Sequence, residues 1–150
     1  MIPSDRSSES TPDLPGAGER IDVRFDSTAR RRVAVFRGVL LDADLVGTYR
    51  GLLGQPDYDY GADDLVDLRG VTRMGVTSAG LRQLMGLFAE ADSLGIPTRC
   101  AIVAPEDAVY GVSRMWQLMR EDYVSEEMSV FRVMGDAEEW LAQGRRRASA

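Results

Sequence analysis

The residue pattern of this chain predicts a small α/β domain: a mixed, mostly parallel sheet of about five strands, opened by an antiparallel hairpin and packed by about four helices. Three observations carry that expectation. Two runs that alternate apolar and polar residues, IDVRFD and RVAVFRG, stand close together near the start, as the arms of a hairpin do. Three later apolar runs, LVDL, TRCAIVA and MSVFRVM, have the length of covered strands. Helical spacing fills the stretches between them, so the order reads β-β-α-β-α-β-α-β-α. Strands alternating with helices imply right-handed crossovers and parallel pairing beyond the hairpin.

Residues 1–19 are rich in Ser, Pro, Asp and Glu and carry little apolar surface to offset the entropy of ordering, so they are expected to form a flexible tail. The first strand spans Ile21–Asp26, STAR turns the chain, and the second spans Arg32–Gly38, where either Val33 and Val35 or Ala34 and Phe36 can be the buried face. Asp42 is placed to cap a first helix through ADLVGTYRGLLG, with Leu45, Tyr49, Leu52 and Leu53 on one side and Gly54 and Pro56 at its stop. The acidic run DYDYGADD that follows reads as a solvated turn, since it lacks the ligand spacing of a calcium loop.

After LVDL, a second helix starts at Thr77 with the stripe Leu81, Leu84, Met85, Phe88 and Ala91, and Gly95-Ile96-Pro97 ends it. Pro105-Glu106-Asp107 opens a third helix, because Pro suits a first turn and acids complement the helix N-terminus. Its buried stripe is Val109, Val112, Met115, Trp116, Met119 and Tyr123. Asp136 caps a short last helix with Ala137, Trp140 and Leu141 inward. The folded domain is therefore expected over residues 20–143. Residues 144–150 form a basic frayed end, although its Arg-Arg-Arg-Ala-Ser also has the look of a basophilic kinase site.

Composition excludes several function classes. Hydrophobic residues at 44% and charged residues at 28% describe an ordinary globular domain, and no apolar run is long enough for a membrane span. The N-terminus has no apolar core segment of a secretory signal, so the cytoplasm is the expected location. A net charge of −6 argues against nucleic acid as a partner. The chain has no His, which removes Ser-His-Asp and Cys-His nucleophile systems and the commonest metal ligand. Its single cysteine, Cys100, sits in an apolar run and reads as a buried small hydrophobe. No cofactor is expected.

In open α/β sheets, ligands gather beyond the carboxyl ends of strands. Here those corners are 69–78 and 105–107. Thr77 and Ser78 lie at a helix start, where free N–H groups and the helix dipole favour an anion, and Arg69 and Arg73 could add charge-assisted bonds. The hydroxyls serve equally well as a plain helix cap, and the two roles are compatible.

The stretch LVDLRGVTRMGVTSAGLRQLM also resembles the central strand-loop-helix of STAS domains, the anti-sigma-factor-antagonist fold. Asp67, Leu68, Gly70, Val71 and Met74 match that pattern, Thr77 and Ser78 fall near its phospho-acceptor position, and Gly80-Leu81 near the Gly-Leu that follows. Gly75-Val76 stands where the pattern has an Asp before the hydroxyl, and one or two residues are inserted. Across residues 20–142 the layout is similar to the SpoIIAA-like bacterial branch, mostly uncharacterised and grouped with STAS and lipid-transfer folds. The resemblance implies a stand-alone STAS-like domain without a known enzymatic activity.

Helical geometry supplies partner surfaces. Arg82, Gly86, Ala89 and Ser93 share the outer face of the second helix, where small side chains let another backbone approach. On the third helix Tyr110, Arg114 and Leu118 fall opposite the buried stripe, with Tyr110 and Arg114 spaced to stack. The leading reading is a non-catalytic cytoplasmic regulatory domain that engages a protein partner through the loop at 69–78 and the following helix. A second copy of the chain, giving a homodimer, is one such partner. The alternative is a binder of a small hydrophobic or anionic ligand, a lipid or nucleotide, at the strand carboxyl ends, lined by Tyr49, Met74, Met115 and Trp116. A third reading, an enzyme relying on Asp67, Asp107 and Arg69, has no nucleophile-base pair to support it.

Overall fold

The computed structural model describes residues 20–122 and 125–149. The tail at 1–19 and Tyr123 lie outside the described residues. Five strands and four helices follow the expected order: β1 (Ile21–Asp26), β2 (Arg31–Leu41), α1 (Asp42–Leu53), β3 (Asp63–Gly75), α2 (Ser78–Ser93), β4 (Thr98–Val103), α3 (Asp107–Arg120), β5 (Glu126–Phe131) and α4 (Met134–Ser149). The hairpin closes through Asp26, whose carboxylate accepts the N–H groups of Thr28 and Ala29 at 3.1 and 3.2 Å. Arg30 completes the turn in the left-handed region, at φ +51°.

The sheet order is β1-β2-β3-β4-β5, with β1 antiparallel to β2 and every other pair parallel. Consecutive strands advance in one direction across the sheet. Right-handed crossovers between them therefore bring α1, α2 and α3 to one face. There Phe36, Val66, Leu81, Leu84, Ile102 and Trp116 share one apolar cluster. α4 follows the last strand and covers the opposite face, packing Ala137 and Leu141 on Val33, Leu65, Ala101 and Val103. Both faces of β2 are thus used: Ala34 and Phe36 meet the helical layer, Val33 and Val35 meet α4.

Two strands are longer than their sequence suggests. β2 was expected to stop at Gly38 and β3 at Leu68, yet they pair in parallel as far as Leu41 and Gly75. Gly38, at φ +74°, is not a stop but part of an irregularity: the register shifts between Val35 and Arg37 and again between Gly38 and Val39. β4 pairs with β3 only over Asp64–Asp67. Beyond Asp67 the two long strands form a ribbon that neither β4 nor β5 flanks.

Other boundaries move less. β5 begins two residues before Met128 and ends at Phe131. On α3 the buried positions are Val109, Ser113, Trp116 and Arg120, so Met115, expected inside, is 37% exposed. Residues 144–149, expected to fray, are the last turns of α4. Arg145 there ties Nε to Asp63 Oδ2 at 3.0 Å and Nη2 to the Gly61 carbonyl at 2.8 Å. No helix among the described residues is long and apolar enough to cross a membrane.

Candidate functional site

The expected anion seat at the start of α2 exists, and the chain fills it with its own carboxylate. Thr77 holds the N-cap position, its Oγ1 accepting the Gly80 N–H at 3.1 Å. Asp42, expected to cap α1, does not: Leu41 occupies that position, its N–H bonded to Asp44 Oδ2 at 3.0 Å. Asp42 instead reaches across to α2. Its carboxylate accepts the Thr77 N–H at 2.8 Å and the Thr77 hydroxyl at 2.6 Å. The approach requires Gly80, because a Cβ there would fall 2.0 Å from Asp42 Oδ1. Ser78, the first residue of α2, is exposed and makes no side-chain hydrogen bond among the described residues.

Arg69 and Arg73 lie on β3, not in a loop. Arg69 grips Asp67 through Nε at 3.0 Å and Nη2 at 2.9 Å. Burial works to raise the Asp67 pKa, but the bonds from Arg69 prevail and hold this carboxyl below the ordinary carboxylate range. Arg73 is exposed, and no hydrogen bond or ion pair of its side chain is found among the described residues. Asp107 pairs with Arg132 at 2.8 Å. The three residues of the enzymatic reading are therefore engaged in ion pairs of their own.

The outer face of α2 is as expected in position: Arg82, Gly86, Ala89 and Ser93 are exposed, and a Cβ added at Gly86 would meet nothing within 4 Å. Leu118 on α3 is 57% exposed. The expected stacking of Tyr110 with Arg114 does not occur. Arg132 covers the Tyr110 ring at 4.3 Å, and Arg114 turns to Gln117. Arg132 arrives from the segment after β5, which helix spacing cannot reveal.

A second constellation, unmarked in the sequence reading, lies at the amino ends of the parallel strands. Asp64 belongs to the acidic run expected to be a solvated turn, yet it is the second residue of β3 and takes both Arg32 Nε and Nη2, at 2.8 and 3.1 Å. The Arg32 guanidinium lies 4.1 Å from the Tyr58 ring centre. Arg120, on α3, is 3% exposed; it clamps Asp92 at 2.7 and 3.0 Å and reaches Glu126 at 3.5 Å. The Phe88 and Trp116 rings flank its guanidinium at 5.1 and 5.2 Å. Burial and the nearby Asp64 push Glu126 up to about 7. Burial also raises Asp64, against the pull of Arg32, and raises the Tyr49 hydroxyl and the Cys100 thiol. Cys100 is thus an inert buried thiol. One signal could have revealed this cluster: Arg120 follows Trp116 by four residues, in phase with the buried stripe of α3.

Between sheet and helices runs a cavity of about 80 Å³, from Leu40, Met74 and Val76 at one end to Asp64, Arg120 and Glu126 at the other. Tyr49, Met74 and Trp116 line it as expected; Met115 does not. Its polar end lies at the amino ends of the strands, opposite to the carboxyl-end location read from sequence.

No family model matches the chain, and no curated protein matches it in sequence. A similar solved structure is that of an uncharacterized protein of the DUF3478 family from Shewanella loihica PV-4, described as having a SpoIIAA-like fold. The two chains are 14% identical, superpose with a TM-score of 0.51, and align over 81% of this chain and 91% of the other. Sheet order, hairpin, helix placement and this likeness agree that the chain has a SpoIIAA-like α/β fold.

Proposed function

We propose that the chain is a non-catalytic regulatory domain that docks a protein partner on the outer face of its β2–β3 ribbon and the start of α2. The observation behind this reading is a partly exposed apolar face at the ribbon end. Arg37, Val39 and Leu41 alternate with the buried Phe36 and Leu40 and point away from the helical layer. Val39 and Leu41 are 38% and 48% exposed, Leu41 lies over Gly75, and Val39 registers with Arg73. Two apolar side chains beside a guanidinium that bonds to none of the described residues form a surface that suits a partner offering an apolar residue and a carboxylate. Ser78 adjoins this end of the sheet, exposed at a helix start next to Thr77, where the negative charge of an added phosphate would repel the Asp42 carboxylate that holds Thr77. The expected setting is the cytoplasm.

Affinity capture from a lysate of the source cells tests the reading, with wild type compared against Leu41→Asp, Arg73→Glu, Ser78→Glu and the control Arg50→Ala, exposed at the end of α1. One protein retained by wild type and control but lost from Leu41→Asp and Arg73→Glu is the expected outcome. Identical captured proteins across all five, each checked for native circular dichroism, would remove the ribbon from consideration. A second reading, a small ligand held inside the domain, is favoured by the cavity that ends on buried charges.

A further inference from the structure

The internal cavity and the charge cluster at its end belong together. Leu40, Val66, Leu84, Phe88 and Ile102 make most of the cavity wall apolar, while Asp64, Arg120 and Glu126 close one end. A second space of about 50 Å³ continues from there, sharing Asp64, Phe88, Arg120 and Glu126 and adding Arg32 and Tyr58. Apolar walls that converge on a few polar groups are the usual form of a small-molecule site.

The polar end is not self-sufficient. Arg120 is buried, its two terminal nitrogens are engaged, and yet its Nε has no acceptor among the described residues. Glu126 receives only long bonds, from Arg120 Nη2 on one oxygen and from the Thr98 hydroxyl on the other, both at 3.5 Å, so it retains acceptor capacity. An orphan buried donor beside an under-used carboxylate asks for a group that accepts from one and donates to the other.

Charge narrows the class. The cluster holds the guanidiniums of Arg32 and Arg120 and the carboxylates of Asp64, Asp92 and Glu126. A carboxylate or phosphate head would join three acids in a low-dielectric site, and an ammonium would press on two guanidiniums. We propose that the cavity binds a small uncharged amphiphile whose hydroxyl sits between Arg120 Nε and Glu126 and whose aliphatic body lies among Phe88, Leu84 and Trp116. With about 80 Å³ to fill, the aliphatic body is only a few carbons long unless the helices part. Glu126, at about 7, is partly protonated near neutrality and can meet a hydroxyl in either state. This inference rests on the second reading above, a ligand inside the domain, and excludes the nucleotide and the fatty acid as its occupants.

Titration of the full chain at pH 7 with n-pentanol, pentanoate and pentylamine, followed by amide and indole NMR shifts, separates the outcomes. Pentanol is expected to bind roughly tenfold more tightly than either ion and to move the Trp116 indole signal. Arg120→Lys, which keeps the charge and removes Nε, is expected to weaken pentanol roughly fivefold. Val112→Phe, on the cavity wall, is expected to abolish binding in a protein with native circular dichroism. Tighter binding of pentanoate or pentylamine overturns the hydroxyl assignment while leaving an internal ligand standing. Equal pentanol affinity in Arg120→Lys does the same. If none of the three binds, both the head-group assignment and the internal site fall.

Discussion

Replacing Glu126 with Gln tests the buried charge cluster through the pH dependence of stability. In the folded chain the Glu126 carboxyl is pushed from 4.5 to about 7, first by burial and then by Asp64, with Asp92 adding repulsion and Arg120 opposing it. The native state therefore holds this proton more tightly than the unfolded chain does. Its stabilisation is complete below about pH 4.5, declines as pH rises, and is lost above about pH 7. A shift of that size corresponds to at most ~3 kcal/mol; because the side chain is one-fifth exposed, ~2 kcal/mol is the fitting magnitude. Gln keeps the shape and cannot ionise. Near pH 4 the two proteins should melt together, and near pH 8 the variant should be more stable by ~2 kcal/mol, which is about 4–8 °C for a domain of this size. Circular-dichroism melting curves across this range measure the difference directly. A wild-type-to-variant gap that stays constant with pH, or a variant that loses stability at pH 8, would refute the reasoning.

Gly80→Ala should destabilise by ~2 kcal/mol, because its Cβ collides with the Asp42 carboxylate. Adding Asp42→Ala should recover part of that loss, a non-additivity that chemical denaturation reads as a coupling energy, and strict additivity would disprove the clash. Phe36→Ala, at a fully buried position in the helical-layer core, should lose ~3–5 kcal/mol, whereas Leu118→Ser should stay within ~0.5 kcal/mol; urea unfolding compares them. Arg145→Ala should lose ~1–2 kcal/mol, since Asp63 is buried and would keep, among the described residues, the Arg99 N–H as its one hydrogen-bond donor; hydrogen exchange at Arg99 should quicken with it.

The residues mark where chemistry changes along the chain but not how far a strand runs. Leu65–Leu68 is visible as a strand because three of its four residues are apolar, as in a covered strand. Arg69–Gly75 is not, since its arginines, glycines and threonine have the composition of a loop. It is a strand because Arg37–Leu41 lies beside it and offers backbone partners. The candidate site shows the same division. That Thr77 begins a helix was legible from its hydroxyl and the stripe after it. That Asp42, 35 residues earlier, supplies the anion was not, because no local pattern encodes a contact of that separation.

By itself the sequence determined the fold class, the order of nine elements, the glycine-and-hydroxyl start of α2 and the absence of imidazole chemistry, all of which follow from periodicity, capping and composition. Only the tertiary structure decided which charges are buried together. Arg32, Asp64, Arg120 and Glu126 come from four different elements, and each alone looks like an ordinary surface residue. Parallel pairing aligns the strand starts, a helix crosses above them, and the loss of water around that meeting point turns separate side chains into one coupled cluster.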